Sequence, residues 1–342
     1  MKKTSRCFLA VIAFIQIGSR VWAWDYPGHR AVNQIALASL PTNFPAFVKT
    51  PDVAERITFL AGEPDRWRNT PDPTFAHYNE PDHFIDIEFL TNFEMTAETV
   101  SPFRYTFVSQ LAAYRVANPG VLPQANPTNN FKHTQEFFGF LPWTINEYFS
   151  KLRSEFSYLK TFEQFGGTPD EIQNAKENII YTMGVMGHYV GDGSMPLHTT
   201  YHYNGWGKYP NPKNFTNDRN FHELIDGAYF VKVGIGLDDL LTNVPPATLI
   251  TTNADGIFRP VINYITAQNQ LVEPLYQLEK DGKLSGEGAL GLEGKPFLQK
   301  QLVVGGQMLG SIWLTAWETS SIDDHLKRDL QKRNAPAQPP AK

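Results

Sequence analysis

His188, Asp192 and His198 stand in the string GHYVGDGSMPLH as H-x3-D-x5-H, and His222 with Asp226 repeats the H-x3-D half in FHELID. Imidazole nitrogen and carboxylate oxygen are donors that Zn²⁺ prefers. On a helix, residues four apart share a face with Cβ atoms roughly 6 Å apart, so both heads of a pair can reach one cation. One H-x3-D is expected by chance in a chain with nine histidines. Two, with His198 just past a Gly-Asp-Gly break, point to a metalloenzyme. The one cysteine, Cys7, falls within the first 23 residues, so beyond them any metal would be held by nitrogen and oxygen, with no thiolate and no disulfide.

The elements that must position these side chains read as helices. Apolar periodicity predicts them over 30–39, 53–61, 103–117, 141–162, 169–192, 218–231, 254–278 and 295–318, with strand signals scarce, so the fold class is all-α. Thr168, Pro169 and Glu171 have the order of a capping box with proline at the first helical position. The helix they start is expected to end at Gly191-Asp192-Gly193, leaving His188 and Asp192 in its last turn and His198 on the following loop. The stretch 283–294, KLSGEGALGLEG, lacks the G-x-x-x-x-G-K-[ST] order and a preceding strand, and reads as a flexible loop rather than a phosphate cradle.

Lys2, Lys3 and Arg6, an apolar run from Phe8 to Ile17, and Val21-Trp22-Ala23 have the order of a secretory signal peptide over 1–23, with the mature chain starting at Trp24. This predicts a secreted or periplasmic protein. The apolar run is too short to span a bilayer, and nothing downstream approaches the ~20 apolar residues a span needs. Removing 1–23 deletes Lys2, Lys3, Arg6 and Arg20 but no acid, which takes the net charge from −5 to −9. That balance counts against tight duplex-DNA binding through phosphate contacts. It is compatible with a phosphate ester held by bound cations, since three divalent ions would bring six positive charges to one cleft. No Pro/Ser/Gly linker divides 24–328, which reads as one domain. Residues 329–342, polar and proline-rich from Arg333 onward, read as a disordered tail. No protein partner is implied.

Further strings precede the two helical pairs: Trp24 with Gly28-His29, then Asp65-Arg66-Trp67, then His83-Phe84-Ile85-Asp86. With them the chain resembles the S1/P1 nuclease family, which shares its all-helical fold with the zinc-dependent bacterial phospholipases C. The family's mature chain begins with Trp and carries His five residues on, as Trp24 and His29 do. Its HFID segment occurs letter for letter at 83–86. Its G-D-x-x-Q-P-L-H string appears from Gly191 to His198, with Met195 in the Gln place. A late helix with Leu309 and Trp313 looks like the family's closing helix. Asp65 departs from the pattern, lying in EPDRW where the family has WAD and further from His83 than usual. The chain also lacks the disulfides of fungal and plant members, and the insertion at 201–217 is unfamiliar in them.

The resemblance implies a single-domain phospholipase C/P1 nuclease-like helical fold and three zinc ions per chain. Asp65, His83, His188 and Asp192 would hold one; Trp24, through its free amine and carbonyl, with His29 and a bridging Asp192 would hold its neighbour; His198, His222 and Asp226 would hold the third. Ions that share a carboxylate sit roughly 3.5–4 Å apart, a spacing at which water between them is activated. Asp86 would orient that water, and Phe84 would stack on a base, the sequence-tolerant way to hold a single strand. His77 in AHYNEPDHF is the alternative to His83, which the surrounding HFID favours. His133, His202 and His325 read as surface or core residues. Tyr201, Tyr203 and Trp206 either face substrate or pack their loop onto the domain. The implied activity is a zinc-dependent phosphodiesterase cleaving single-stranded nucleic acid or nucleotides to 5'-phosphate products. The alternatives are a zinc-dependent phospholipase C, which Asp226 in place of Glu and the five-residue Trp24–His29 gap disfavour, and a non-catalytic zinc-binding protein.

Overall fold

Apolar residues recur at helical spacing along most of this chain, and helices are what form. The computed structural model describes Trp24, residues 26–120 and residues 125–335. The expected signal peptide, and the tail from 336 onward, lie outside the described residues. The helices are α1 (Tyr26–Ser39), α2 (Pro51–Leu60), α3 (Glu63–Arg68), α4 (Pro73–Asn79), α5 (Glu88–Asn92), α6 (Arg104–Ala117), α7 (Leu141–Phe165), α8 (Pro169–Ser194), α9 (Phe221–Glu223), α10 (Tyr229–Val233), α11 (Leu237–Leu241), α12 (Phe258–Asn269), α13 (Val272–Lys280), α14 (Lys295–Thr319) and α15 (Asp324–Arg333). A π turn (Leu224–Ala228) joins α9 to α10. Only isolated β-bridges occur among the described residues, so the architecture is all-α. No described helix is long and apolar enough to cross a membrane.

Helix α8 is the axis. Thr168 and Glu171 close their capping box at its start, and it packs against α7, α14, α2 and α1. Every residue from Thr182 to Ser194 is buried. A helix end enclosed on all sides leaves polar side chains to be satisfied by one another or by a bound ion. Helix α1 comes close because α8 presents glycines to it. A Cβ on Gly187 would lie 1.6 Å from Asn33 Oδ1, and one on Gly191 would lie 2.9 Å from His29 Nδ1. Asn33 fixes the approach by donating to the carbonyls of Ile57 and Gly184.

The HFID segment is pinned on two sides. Ile85 N–H donates to His198 O, Asp86 N–H to Phe138 O and Ile87 N–H to Thr199 O, while Phe84 O accepts from Leu141 N–H. Ile85 bridges Gly139, which sits at φ +100°, where a side chain would meet Phe84 O.

Several expectations need correction. Helix α8 does not stop at Gly191-Asp192-Gly193, because those glycines serve close packing, Gly193 against Tyr264. It stops where Pro196 forces Met195 into an extended conformation (φ −90°, ψ 116°). His198 follows on the connecting segment as expected, within a 3-10 turn (Pro196–Thr199). The helix expected over 254–278 breaks between Asn269 and Val272. The one expected over 218–231 starts at Phe221 and passes through the π turn. Residues 329–333 are not tail. They finish α15, where Asp323 caps the N-terminus, Leu330 is buried and Arg333 pairs with Glu171. The glycine-rich 283–294 stretch is tied down, with Leu284 buried and the carbonyls of Leu284 and Gly286 accepting from Lys232.

Candidate metal centre

The buried end of α8 brings His188 and Asp192 against α1, α3 and the HFID segment. The histidine tautomers are fixed by backbone. His188 Nδ1 lies 2.8 Å from Ala61 O and His198 Nδ1 lies 2.7 Å from His83 O. A carbonyl only accepts, so each Nδ1 carries the hydrogen and each Nε2 presents a lone pair, the form in which imidazole binds a metal. His188 Nε2 then faces His83 Nδ1 at 2.9 Å, and His198 Nε2 faces His222 Nε2 at 3.0 Å.

Among the described residues three groups of donor atoms converge, each with its atoms within 4.8 Å of one another: Asp65, His83 and His188; His29, His188 and Asp192; His198, His222 and Asp226. Asp192 faces the first two groups at once. Its Oδ2 is 3.1 Å from His83 Nδ1 and 3.4 Å from His188 Nε2, while its Oδ1 is 3.5 Å from His29 Nε2. In the third group Asp226 Oδ2 lies 2.5 Å from His222 Nε2. The pair has the same four-residue spacing as His188 and Asp192, with His222 in α9 and Asp226 within the π turn. The indole of Trp24 is buried and donates to Gly191 O and Ser194 Oγ, on either side of Asp192.

This arrangement fits divalent cations. All eight side chains are buried, and His29 Nε2, Asp192 Oδ1 and Asp226 Oδ1 have no hydrogen-bond partner. The set is nitrogen and oxygen only, suited to zinc. Burial, reinforced at His83 and His188 by the neighbouring Arg68 guanidinium, holds His29, His83 and His188 well below the usual imidazole range and therefore neutral. Burial pushes the Asp192 carboxyl up. Burial also opposes ionisation of Asp226, but His222 and His198 outweigh it and hold that carboxyl below its ordinary value.

His198 and His222 open into a cleft of about 940 Å³, whose walls include Asp86 and Phe84. Burial first, and the nearby Glu88 carboxylate second, push the Asp86 carboxyl well up. His83 rather than His77 enters the cluster. His77 instead contacts the carbonyls of Lys132 and His133 through Nδ1. Of the other histidines, His133 and His325 are exposed, while His202 is buried and stacks on Trp206 at 3.8 Å. The 201–217 loop therefore divides its aromatics: Tyr201 and Trp206 pack inward, and Tyr203, 49% exposed, lines the cleft. Sequence reasoning missed Arg68, Phe131 and Lys132, which also line the cleft. Arg68 had a signal, since it stands three residues after Asp65 and pairs with it at 2.8 Å. Phe131 and Lys132 had none, lying in a polar loop far along the chain.

No protein-family model matches the chain, and no curated protein matches it. Among solved structures it is similar to the alpha-toxin of an avian strain of Clostridium perfringens, with 13% identity, a TM-score of 0.37 and coverage of 89% of this chain and 67% of that one. It is also similar to the alpha toxin of Clostridium absonum, with 13% identity, a TM-score of 0.33 and coverage of 93% and 68%. At that level the likeness assigns no activity.

Proposed function

We propose that this chain is an exported, zinc-dependent phosphodiesterase of the S1/P1 nuclease type, acting on single-stranded nucleic acid or nucleotides with three ions bound per chain. The observation that carries the reading is the meeting of three buried His/Asp groups beside one cleft that also holds Asp86 and Phe84. Asp65, His83, His188, Asp192, His29, His198, His222 and Asp226 would hold the ions, with Trp24 contributing its amine once 1–23 are removed. The ions supply Lewis acidity toward phosphoryl oxygens and lower the pKa of water.

The protein's own residues do the rest. Asp86 lines the cleft wall, and with bound cations offsetting the burial that raises its carboxyl it would accept a hydrogen bond from the attacking water and set its line of approach. Phe84 offers a ring face to a base, and stacking of this kind contributes about 1–3 kcal/mol per base. The packing that buries His29, His83 and His188 keeps water away from their lone pairs, which would leave those lone pairs available to the ions.

A phospholipid is the second reading, because it offers the same phosphodiester to the same cleft and because Phe131 and Tyr203 expose rings there. The deciding experiment is a side-by-side assay of protein beginning at Trp24 on single-stranded DNA, RNA, a 3'-nucleotide and phosphatidylcholine vesicles, with and without chelator. Chelator-sensitive cleavage of the nucleic substrates supports the nuclease. Cleavage of phosphatidylcholine alone replaces it with the phospholipase, and inactivity on all four discards both.

A further inference from the structure

Phe131 is 65% exposed in the cleft wall, in a loop that is otherwise polar. That exposure is not slackness. Asn130, buried beneath it, accepts from the N–H groups of Thr134 and Gln135 and donates to Glu136 Oε1. Arg115 of α6 donates to Glu136 O. Glu80 takes Lys132 Nζ at 2.8 Å and Thr134 Oγ1, and the His77 ring sits against the carbonyls of Lys132 and His133. The loop is thus fastened to α4, the turn before His83, and α6, while the ring it carries faces the cleft. Among the described residues no other ring stacks on Phe131; the Lys132 ammonium approaches it at 6.0 Å.

A rigid ring held open in a polar wall presents a flat face at little entropic cost on binding. The cleft, at about 940 Å³, lies near the upper end of the range for small-molecule sites, leaving room beyond one phosphate and the group stacked on Phe84. We propose that Phe131 is a second base-stacking position, so that this site takes oligonucleotides spanning at least two bases in preference to mononucleotides. The inference rests on the nuclease reading and deepens it. A nucleobase suits the position better than a lipid surface. Immersion in a bilayer calls for contiguous apolar surface, whereas the flanking residues are Asn129, Asn130, Lys132, His133 and Thr134.

The test is equilibrium binding to the zinc-loaded protein, by titration calorimetry, of a phosphorothioate-linked thymidine dinucleotide and of thymidine 5'-monophosphate. Phosphatidylcholine vesicles form a third arm. Wild type is expected to bind the dinucleotide more tightly than the mononucleotide. Phe131→Ala should weaken the dinucleotide by about 5- to 150-fold, the range of one lost stack, and weaken the mononucleotide far less. Phe131→Trp, which keeps a ring, should restore the preference. Equal loss on both nucleotides, or no loss on either, overturns the second position while leaving the nuclease reading standing. Unchanged dinucleotide binding with loss of vesicle binding assigns Phe131 to a lipid surface and overturns it too. Wild type that binds neither nucleotide overturns this inference and the nuclease reading together.

Discussion

Stripping metal from the protein should cost it fold stability as well as activity, by an amount the structure bounds. His29 Nε2, Asp192 Oδ1 and Asp226 Oδ1 point into the centre, buried and without hydrogen-bond partners. Each such atom costs about 1–3 kcal/mol when nothing satisfies it, and more when it carries charge. Three of them give about 3–9 kcal/mol, a large part of the 5–15 kcal/mol by which domains are usually stable. Water can enter a stripped site, so the low end applies, and about 3 kcal/mol in a chain of this size, with an unfolding entropy of about 2.1 cal/mol/K per residue, lowers Tm by roughly 4–5 °C. The assay is thermal unfolding followed by circular dichroism on protein as purified, after chelation and after zinc is returned, with elemental analysis of the same samples. Close to three zinc per chain at the start, a lower Tm after chelation and recovery on reloading are expected. A Tm unmoved in samples shown to have lost their metal would refute the argument that these atoms are built around cations. One metal or none at the start would sink the trinuclear reading.

Asp86→Asn should retain all the zinc and lose turnover, because Asp86 lies on the cleft wall outside the three donor groups; full activity on single-stranded DNA would remove it from the mechanism. Protein beginning at Trp24 should bind more zinc and turn over faster than protein with one added residue before it, since an amide nitrogen is a poor ligand where a free amine is a good one. Equal zinc content in both forms would refute the N-terminal ligand. Glu155, set between α7 and α8, is pushed by burial from 4.5 to about 7, with a hydrogen bond from Thr182 and the charge of Lys151 opposing the rise. The native state therefore holds this proton more tightly than the unfolded chain does. No penalty exists below about pH 4.5, stability falls as pH rises toward 7, and the loss is constant above it. Glu155→Gln should match wild type near pH 4 and exceed it by about 2 kcal/mol at pH 8, after allowing for its partial exposure. Denaturant midpoints that differ by the same amount at both pH values would show that this carboxyl is not the cause.

The candidate site was most legible where its geometry is local. His188 with Asp192, and His222 with Asp226, needed only helical spacing. His29, Asp65 and His83 come from separate elements and meet only in the folded chain, so spacing says nothing about them; they could be found only through the strings around them. Phe131 was beyond reach for a related reason. What makes it notable is its exposure, held by Asn130, Glu80 and His77, and no local pattern encodes exposure.

The misplaced end of α8 shows how a residue type can carry two opposite meanings. Glycine in sequence reads as a helix breaker, so Gly191-Asp192-Gly193 suggests a stop. In the fold the same absence of a side chain lets His29 and Tyr264 press against an unbroken helix, with Gly191 facing one and Gly193 the other. The rule that governed was the restriction proline places on the residue before it, applied at Met195. The consequence reaches the chemistry. Because the helix continues past Asp192, that carboxylate is held by helical backbone on both sides, and its two oxygens are directed to His29 and to the His83–His188 pair.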